Sequence, residues 1–244
     1  MADPKQHYDT HLGPVYSWMT GDFAALRRRS GDLFDRLAVA AIDGGRVAVD
    51  LGAGHGAQSV PLAERGFDVV AIDFCRALLE ELADNARGLP VTAVEGDLLD
   101  LERHVHAPAG AVVCMGDTLT HLPDLADVER LVRAAARVLA PGGKLVVTFR
   151  DYVSREPRGT ERFIPVRADG DRILTCVLEY SPEHVTVYDL LHEKRDGVWK
   201  QRVGSYRKLR LDPAWLARLC EAAGLGVIES STEAGVVTLA AQRR

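Results

Sequence analysis

The stretch that most constrains this chain runs from Val47 to Gly56 and reads Val-Ala-Val-Asp-Leu-Gly-Ala-Gly-His-Gly. A short β-branched run passes into three alternating glycines and then into a helical pattern. Glycines let the backbone turn sharply and let a ligand approach closer than a Cβ would permit. A Gly-x-Gly turn by itself fits nicotinamide and flavin sites as well as others. The acid two residues ahead of it, Asp50, narrows the choice. A pyrophosphate held on bare amides would be repelled by a carboxylate beside it. S-adenosylmethionine has no phosphate and carries a sulfonium and an ammonium, so the acid suits it. Gly52, Ala53 and Gly54 are therefore expected to cradle that cofactor, with Asp50 alongside. The alternative is a structural strand-to-helix turn capped by Asp50.

The rest of the chain supports an α/β fold. Strands are predicted at 46–51, 67–72, 91–94, 111–115 and 144–149, with helices at 57–65, 76–87 and 127–139. The last helix has one apolar face, built from Val128, Leu131, Val132, Ala135, Val138 and Leu139, and Pro141-Gly142-Gly143 is expected to stop it. Alternating βαβ units imply a parallel sheet covered on both faces. After Arg150 the pattern changes to antiparallel strands at 172–179, 184–193 and 198–209. A helix capped by Asp212 and opened by Pro213 follows, closed by Gly224, and then a strand pair at 225–228 and 236–240. The expected organisation is one domain: an N-terminal helical lid over 1–40, a cofactor-binding core over 41–150, a substrate-side insert over 151–210, and a final helix and strand pair over 211–244.

Asp50, Asp73, Asp97, Asp117 and Arg150 each fall at or just past the carboxyl end of a successive predicted strand. In an open parallel sheet those ends form one edge, and ligands bind in the crevice there. Asp73 is placed to meet ribose hydroxyls in either class of adenosine cofactor. Phe74 is expected to pack on the adenine or else in the core. Asp97, followed by Leu98, either accepts the adenine amino group or caps the next helical turn.

Composition excludes several partners. The chain has 244 residues and a net charge of −5, which offers no electrostatic reason for a nucleic-acid ligand. The short basic run Arg27-Arg28-Arg29 reads as a solvated face, although one of the three could reach the cofactor carboxylate. The N-terminus lacks a signal-peptide layout and no apolar stretch is long enough to cross a bilayer, so a cytoplasmic location is expected, with no membrane partner. Cys75, Cys114, Cys176 and Cys220 are widely spaced and form no metal pattern, so no metal is expected.

Taken together, the glycine motif, Asp73, Asp97, Pro141-Gly142-Gly143 and the terminal strand pair resemble the class I S-adenosylmethionine-dependent methyltransferases over essentially the whole chain. That resemblance implies a Rossmann-like, doubly wound seven-stranded sheet with its last strand antiparallel, plus a small antiparallel β insert after strand 5. A narrower similarity is to the glycine/sarcosine N-methyltransferase group of small-molecule enzymes. It rests on Cys114-Met115-Gly116-Asp117-Thr118-Leu119-Thr120-His121-Leu122-Pro123-Asp124, on Phe149-Arg150-Asp151-Tyr152 and on Trp18-Met19-Thr20-Gly21-Asp22. The group normally has Asn where Asp117 stands.

The expected chemistry is in-line methyl transfer to a small molecule, most readily to an amine nitrogen, although N-, O- and C-methylation can share this scaffold. Met115, Gly116 and Trp18 are assigned to the cofactor. Asp117 and His121 are expected to line the pocket floor, with His121 orienting or deprotonating the nucleophile. The alternative for His121 is a structural histidine bonded to a loop carbonyl. Arg150 is expected to grip a substrate carboxylate, or else to pair with Asp151 or Glu161. Tyr16, Tyr152, Tyr180 and Tyr206 complete the expected substrate side. Tyr8, Tyr16 and Trp18 could fold over the sulfonium or pack in the core. An NAD-dependent oxidoreductase and a non-catalytic cofactor-binding protein are the competing classes. A homo-oligomer is left open.

Overall fold

The structure is a computed structural model that describes residues 4–244. Residues 1–3, where the reading for a signal peptide begins, lie outside it. The β-branched runs become strands β1 Val47–Leu51, β2 Asp68–Asp73, β3 Val91–Glu95, β4 Ala109–Cys114 and β5 Leu139–Arg150. They assemble with two later strands, β10 Leu225–Glu233 and β11 Val236–Arg243, into one seven-stranded sheet ordered β10-β11-β5-β4-β1-β2-β3. β1 to β5 pair in parallel, whereas β11 runs antiparallel to both β5 and β10. The expected fold is therefore observed.

Helices cover both faces because the central strands are apolar on both sides. One side packs on α7 Leu125–Val138 and α8 Pro213–Ala222, the other on α3 Phe23–Arg36, α4 Ser59–Glu64 and α5 Arg76–Asn85. Short helices α1 Pro4–His7, α2 Tyr16–Thr20 and α6 Leu101–His104 complete the set, with a π-helical turn at Tyr8–Leu12 between the first two. Helix starts follow their caps: Asp22, Asp124 and Asp212 accept the amides of Ala24, Asp127 and Ala214.

One local expectation fails. Pro141-Gly142-Gly143 does not stop α7, which already ends at Val138 with Leu139 extended. These residues instead form an irregular opening of β5, where the pairing with β4 jumps from Ala109↔Leu139 to Ala111↔Lys144.

The insert is a second sheet ordered β6-β7-β8-β9, with β6 Phe163–Ala168, β7 Arg172–Tyr180, β8 His184–Arg195 and β9 Val198–Leu209. β6 went unread in the sequence because Pro165 interrupts it and its residues are mostly exposed. Alternate residues Val185, Val187 and Leu191 of β8 are buried with Leu174 and Leu178 against Leu12 and Val15. The N-terminal segment thus closes one face of the insert and crosses to the carboxyl edge of the main sheet.

Candidate active site

A cavity of about 520 Å³ opens at the carboxyl ends of β1 to β4. Its walls include Gly52 and Gly54 from the glycine turn, Asp73 and Phe74 after β2, and Asp97 and Leu98 after β3. Thr118 and His121 close another side, and Tyr8 and Tyr16 of the N-terminal segment form a roof.

The glycine turn is shaped for close approach. Gly52 has φ +71 and Gly54 φ +52, conformations that residues with a Cβ resist. The amides of Gly52 and Ala53 both donate to the Ile72 carbonyl, at 2.8 and 3.1 Å. Asp73 ties the turn to β2 from the side chain: Oδ2 accepts Gly54 N–H at 2.8 Å and Oδ1 accepts Cys75 N–H at 2.7 Å. Burial raises its pKa, and these amide bonds oppose the rise. Asp97 caps the turn that follows β3, its Oδ1 accepting Leu99 N–H at 2.9 Å, and it also lines the cavity. Phe74 faces the cleft and meets Tyr8 edge-on, with ring centroids 5.6 Å apart.

Asp50 is placed differently from the expectation. Its carboxylate lies outside the cavity wall and accepts the Ser59 hydroxyl at 2.6 Å, a side-chain tie between β1 and α4, whose cap position is held by Gln58 and not by Asp50. Ala53, Met115 and Gly116 also lie off the wall. Ala53 is buried, Met115 packs against the apolar cluster under α3, and Gly116 N–H donates to Thr148. Trp18 is turned to the insert, donating to Asp169 at 2.5 Å beneath the Arg172 guanidinium. Tyr180 stacks under Arg210, away from the cleft. Arg27, Arg28 and Arg29 are exposed and none reaches the cavity; Arg27 pairs with Glu64.

Behind the His121 wall lies a charged cluster. Asp117 Oδ1 accepts the Arg150 backbone N–H at 2.8 Å, and Oδ2 accepts Lys208 Nζ at 2.6 Å. The Tyr152 hydroxyl and Arg150 Nε approach the same oxygen, each at 3.4 Å. Burial alone would raise the Asp117 pKa, but Lys208 and Arg150 overcome it and hold the group down at about 2. Asp117 was expected on the pocket floor beside His121; the structure sets its carboxylate back against Lys208 and Arg150, off the cavity wall that Thr118 and His121 form. Arg150 pairs with Asp117 and not with Asp151 or Glu161, and its side chain stays 60% exposed with donors to spare.

His121 does reach the cleft. Its ring lies between Tyr8 and Tyr206, at 5.7 and 5.2 Å between centroids. Burial, reinforced by Lys208, drives its pKa down to about 3. Its Nδ1 is buried without a hydrogen-bond partner among the described residues, so the loop-carbonyl alternative is not seen at that atom.

Sequence reasoning missed Lys208. The available signal was its place in β9 two residues after Tyr206, hence on the same inward face. It also missed the buried anchor of the N-terminal segment, where His7 Nε2 lies 2.8 Å from Asp189 Oδ2.

Comparison with known proteins agrees with this geometry. Residues 48–143 match the family described as "Methyltransferase domain". A glycine/sarcosine N-methyltransferase of Parasynechococcus marenigrum (strain WH8102) is 32% identical over 167 residues, covering 67% of this chain and 57% of that protein. The chain thus spans little more than half of that relative. In fold it is similar to the CcbJ methyltransferase from Streptomyces caelestis, with TM-score 0.77, 21% identity and 98% of each chain covered. It is similar also to CalS10, an amino pentose methyltransferase from Micromonospora echinaspora, solved with bound S-adenosylmethionine, with TM-score 0.77, 19% identity and 96% and 97% of the two chains covered. The sheet order, the glycine turn and these likenesses agree: the chain belongs to the class I S-adenosylmethionine-dependent methyltransferases.

Proposed function

We propose that the protein methylates an amine nitrogen of a small, amino-acid-like metabolite by in-line displacement. The observation that carries this reading is the cleft itself. One end is lined by Gly52, Gly54, Asp73 and Asp97, and the other by a neutral His121 under Tyr8 and Tyr16. S-adenosylmethionine supplies a methyl group already activated by a sulfonium. The cradle fits it, because a Cβ at Gly54 would project toward Tyr16 at 3.7 Å, into the space between turn and roof. Asp73 keeps lone pairs for ribose hydroxyls while its amide bonds fix its orientation. Asp97, Leu98 and Phe74, which line the cavity beyond Asp73, would hold the adenine.

On the acceptor side, His121 orients the nucleophile and leaves the deprotonation to solvent, since a group titrating at about 3 is a poor base at neutral pH. The exposed guanidinium of Arg150 captures the acceptor's carboxylate. Tyr16 closes over the reacting centre, while Tyr152 and Tyr206 support Lys208 and His121 from behind. The 32% identical relative is named as an N-methyltransferase, which supports nitrogen as the acceptor atom. Positioning of this kind can supply about 7–11 kcal/mol of the barrier at best. Of the lid expected over 1–40, the part that covers the cleft is the segment bearing Tyr8 and Tyr16, while α3 belongs to the sheet face.

The test is calorimetry with S-adenosylhomocysteine and with NADH, followed by incubation with methyl-labelled donor and panels of amino acids, amino sugars and phenols. Saturable binding of the demethylated donor and label on nitrogen are expected. Saturation by NADH alone would overturn the cofactor assignment, and label on oxygen or carbon would overturn the amine.

A further inference from the structure

The turn from Asp117 to His121 supplies one wall of the cleft, and both of its ends touch the same strand of the insert. At its start, Asp117 Oδ2 receives Lys208 Nζ at 2.6 Å. At its end, the His121 ring lies 5.2 Å from that of Tyr206, tilted by 30°. Tyr206 and Lys208 are two residues apart on β9 and share its inward face. Lys208 is 7% exposed and Tyr206 4%, so neither contact is a surface accident. The lysine ammonium also lies 5.6 Å from the Tyr206 ring, which joins the two contacts to each other. Asp117 in turn holds Arg150 through its backbone N–H at 2.8 Å.

We propose that Lys208 is a positioning residue for the cleft: together with Tyr206 it clamps the turn that carries Thr118 and His121, and it acts through Asp117 without touching the reacting atoms. The buried ammonium of Lys208 needs an anion with good geometry, which the 16% exposed side chain of Asp117 supplies, and removing one member of such a pair leaves the other charge stranded, whereas neutralising both together can be tolerated. The turn is a single 3₁₀ segment, Thr118–His121, whose own hydrogen bonds are local, from Thr118 Oγ1 to the Met115 carbonyl and from Thr120 N–H and Oγ1 to the Asp117 carbonyl; they fix its shape, and its placement against the insert is set by what grips its ends. The two ends are gripped by one rigid strand.

This predicts a rescue pattern. Lys208→Met should displace the imidazole NMR signals of His121, assigned with a His121→Gln protein, while Lys208→Arg and the double change Asp117→Asn/Lys208→Met should bring them back toward wild type. These signals can be read without any ligand, so failure of the methyl donor to bind leaves this test standing and counts only against the proposed function. Where turnover is measurable, Lys208→Met should lower kcat/KM for the acceptor about tenfold or more and the double change should recover it to within about threefold, with affinity for S-adenosylhomocysteine little altered in all. Should Lys208→Met not fold, Asp117→Asn alone must displace the His121 signals further than the double change does. Unmoved His121 signals in Lys208→Met, or displacement that the double change leaves uncorrected, would overturn the clamp.

Discussion

The Asp50 carboxylate is 1% exposed and accepts the Ser59 hydroxyl at 2.6 Å, tying the end of β1 to the start of α4 across the glycine turn. Burial lifts its pKa to about 7, with the Ser59 hydrogen bond pulling the other way. The folded value thus lies above the unfolded value of 3.8, and the folded state holds the proton more tightly. Its contribution to stability is full below the unfolded pKa and is lost as the pH rises through about 7. Between pH 5 and 8 the ligand-free protein should lose on the order of 2 kcal/mol from this group. Asp50→Asn should flatten that slope in denaturant titrations at the two pH values. An unchanged slope would mean that Asp50 is ionised in the folded state throughout.

Gly52 is the position where the turn tolerates least. Its φ of +71 belongs to glycine, and an added Cβ would fall 2.3 Å from Thr118 Cγ2. Gly52→Ala must therefore push apart the glycine turn and the wall that carries His121, on top of about 1–2 kcal/mol of backbone strain. We expect at least tenfold weaker binding of S-adenosylhomocysteine by calorimetry, with a smaller loss of thermal stability. Binding within twofold of wild type would mean that the turn relaxes without disturbing the cleft.

Those two residues illustrate what the sequence could and could not convey. The β1–glycine turn–α4 unit, the parallel strands and the acids at their ends were legible because period-two and helical apolar patterns with glycine and aspartate punctuation are local signals. Side-chain direction beyond the strand end was not. Asp50 turns to Ser59 and Asp73 into the cleft, although both close apolar strands. Trp18 and Tyr180 were assigned to the site as aromatic residues in the right segments, but each is held elsewhere by an arginine from the insert. The inward face of Lys208 could be read from its spacing to Tyr206, but its pairing could not, because Asp117 lies 91 positions away in the chain and only the folded insert brings them together.

Arg150 keeps its guanidinium 60% exposed while its backbone is fixed by Asp117. Lysine would keep the charge but lose the forked, planar geometry that matches a carboxylate. Arg150→Lys should raise KM for a carboxylate-bearing acceptor about tenfold, in keeping with the roughly 1.5–3 kcal/mol of a charge-assisted hydrogen bond, and leave S-adenosylhomocysteine affinity within twofold. Equal loss of both affinities would place Arg150 in the fold of the sheet edge and not on the acceptor.

His121 offers the sharpest separation between orientation and proton transfer. With its pKa driven down to about 3 by burial and by the neighbouring Lys208, its ring is neutral across the physiological range. A folded pKa below the unfolded 6.5 also means that protonation opposes folding, so the stability held by the neutral ring is lost as pH falls below the unfolded value. The acceptor's kcat/KM should consequently show no limb that belongs to His121 between pH 5 and 9. His121→Ala should slow turnover by about 10- to 100-fold through lost alignment of the nucleophile, and the pH profile of what remains should keep its shape. His121→Gln, which keeps a polar group near the same place, should recover part of the rate. Loss of an acidic limb near pH 6–7 in His121→Ala would identify the imidazole as the base instead.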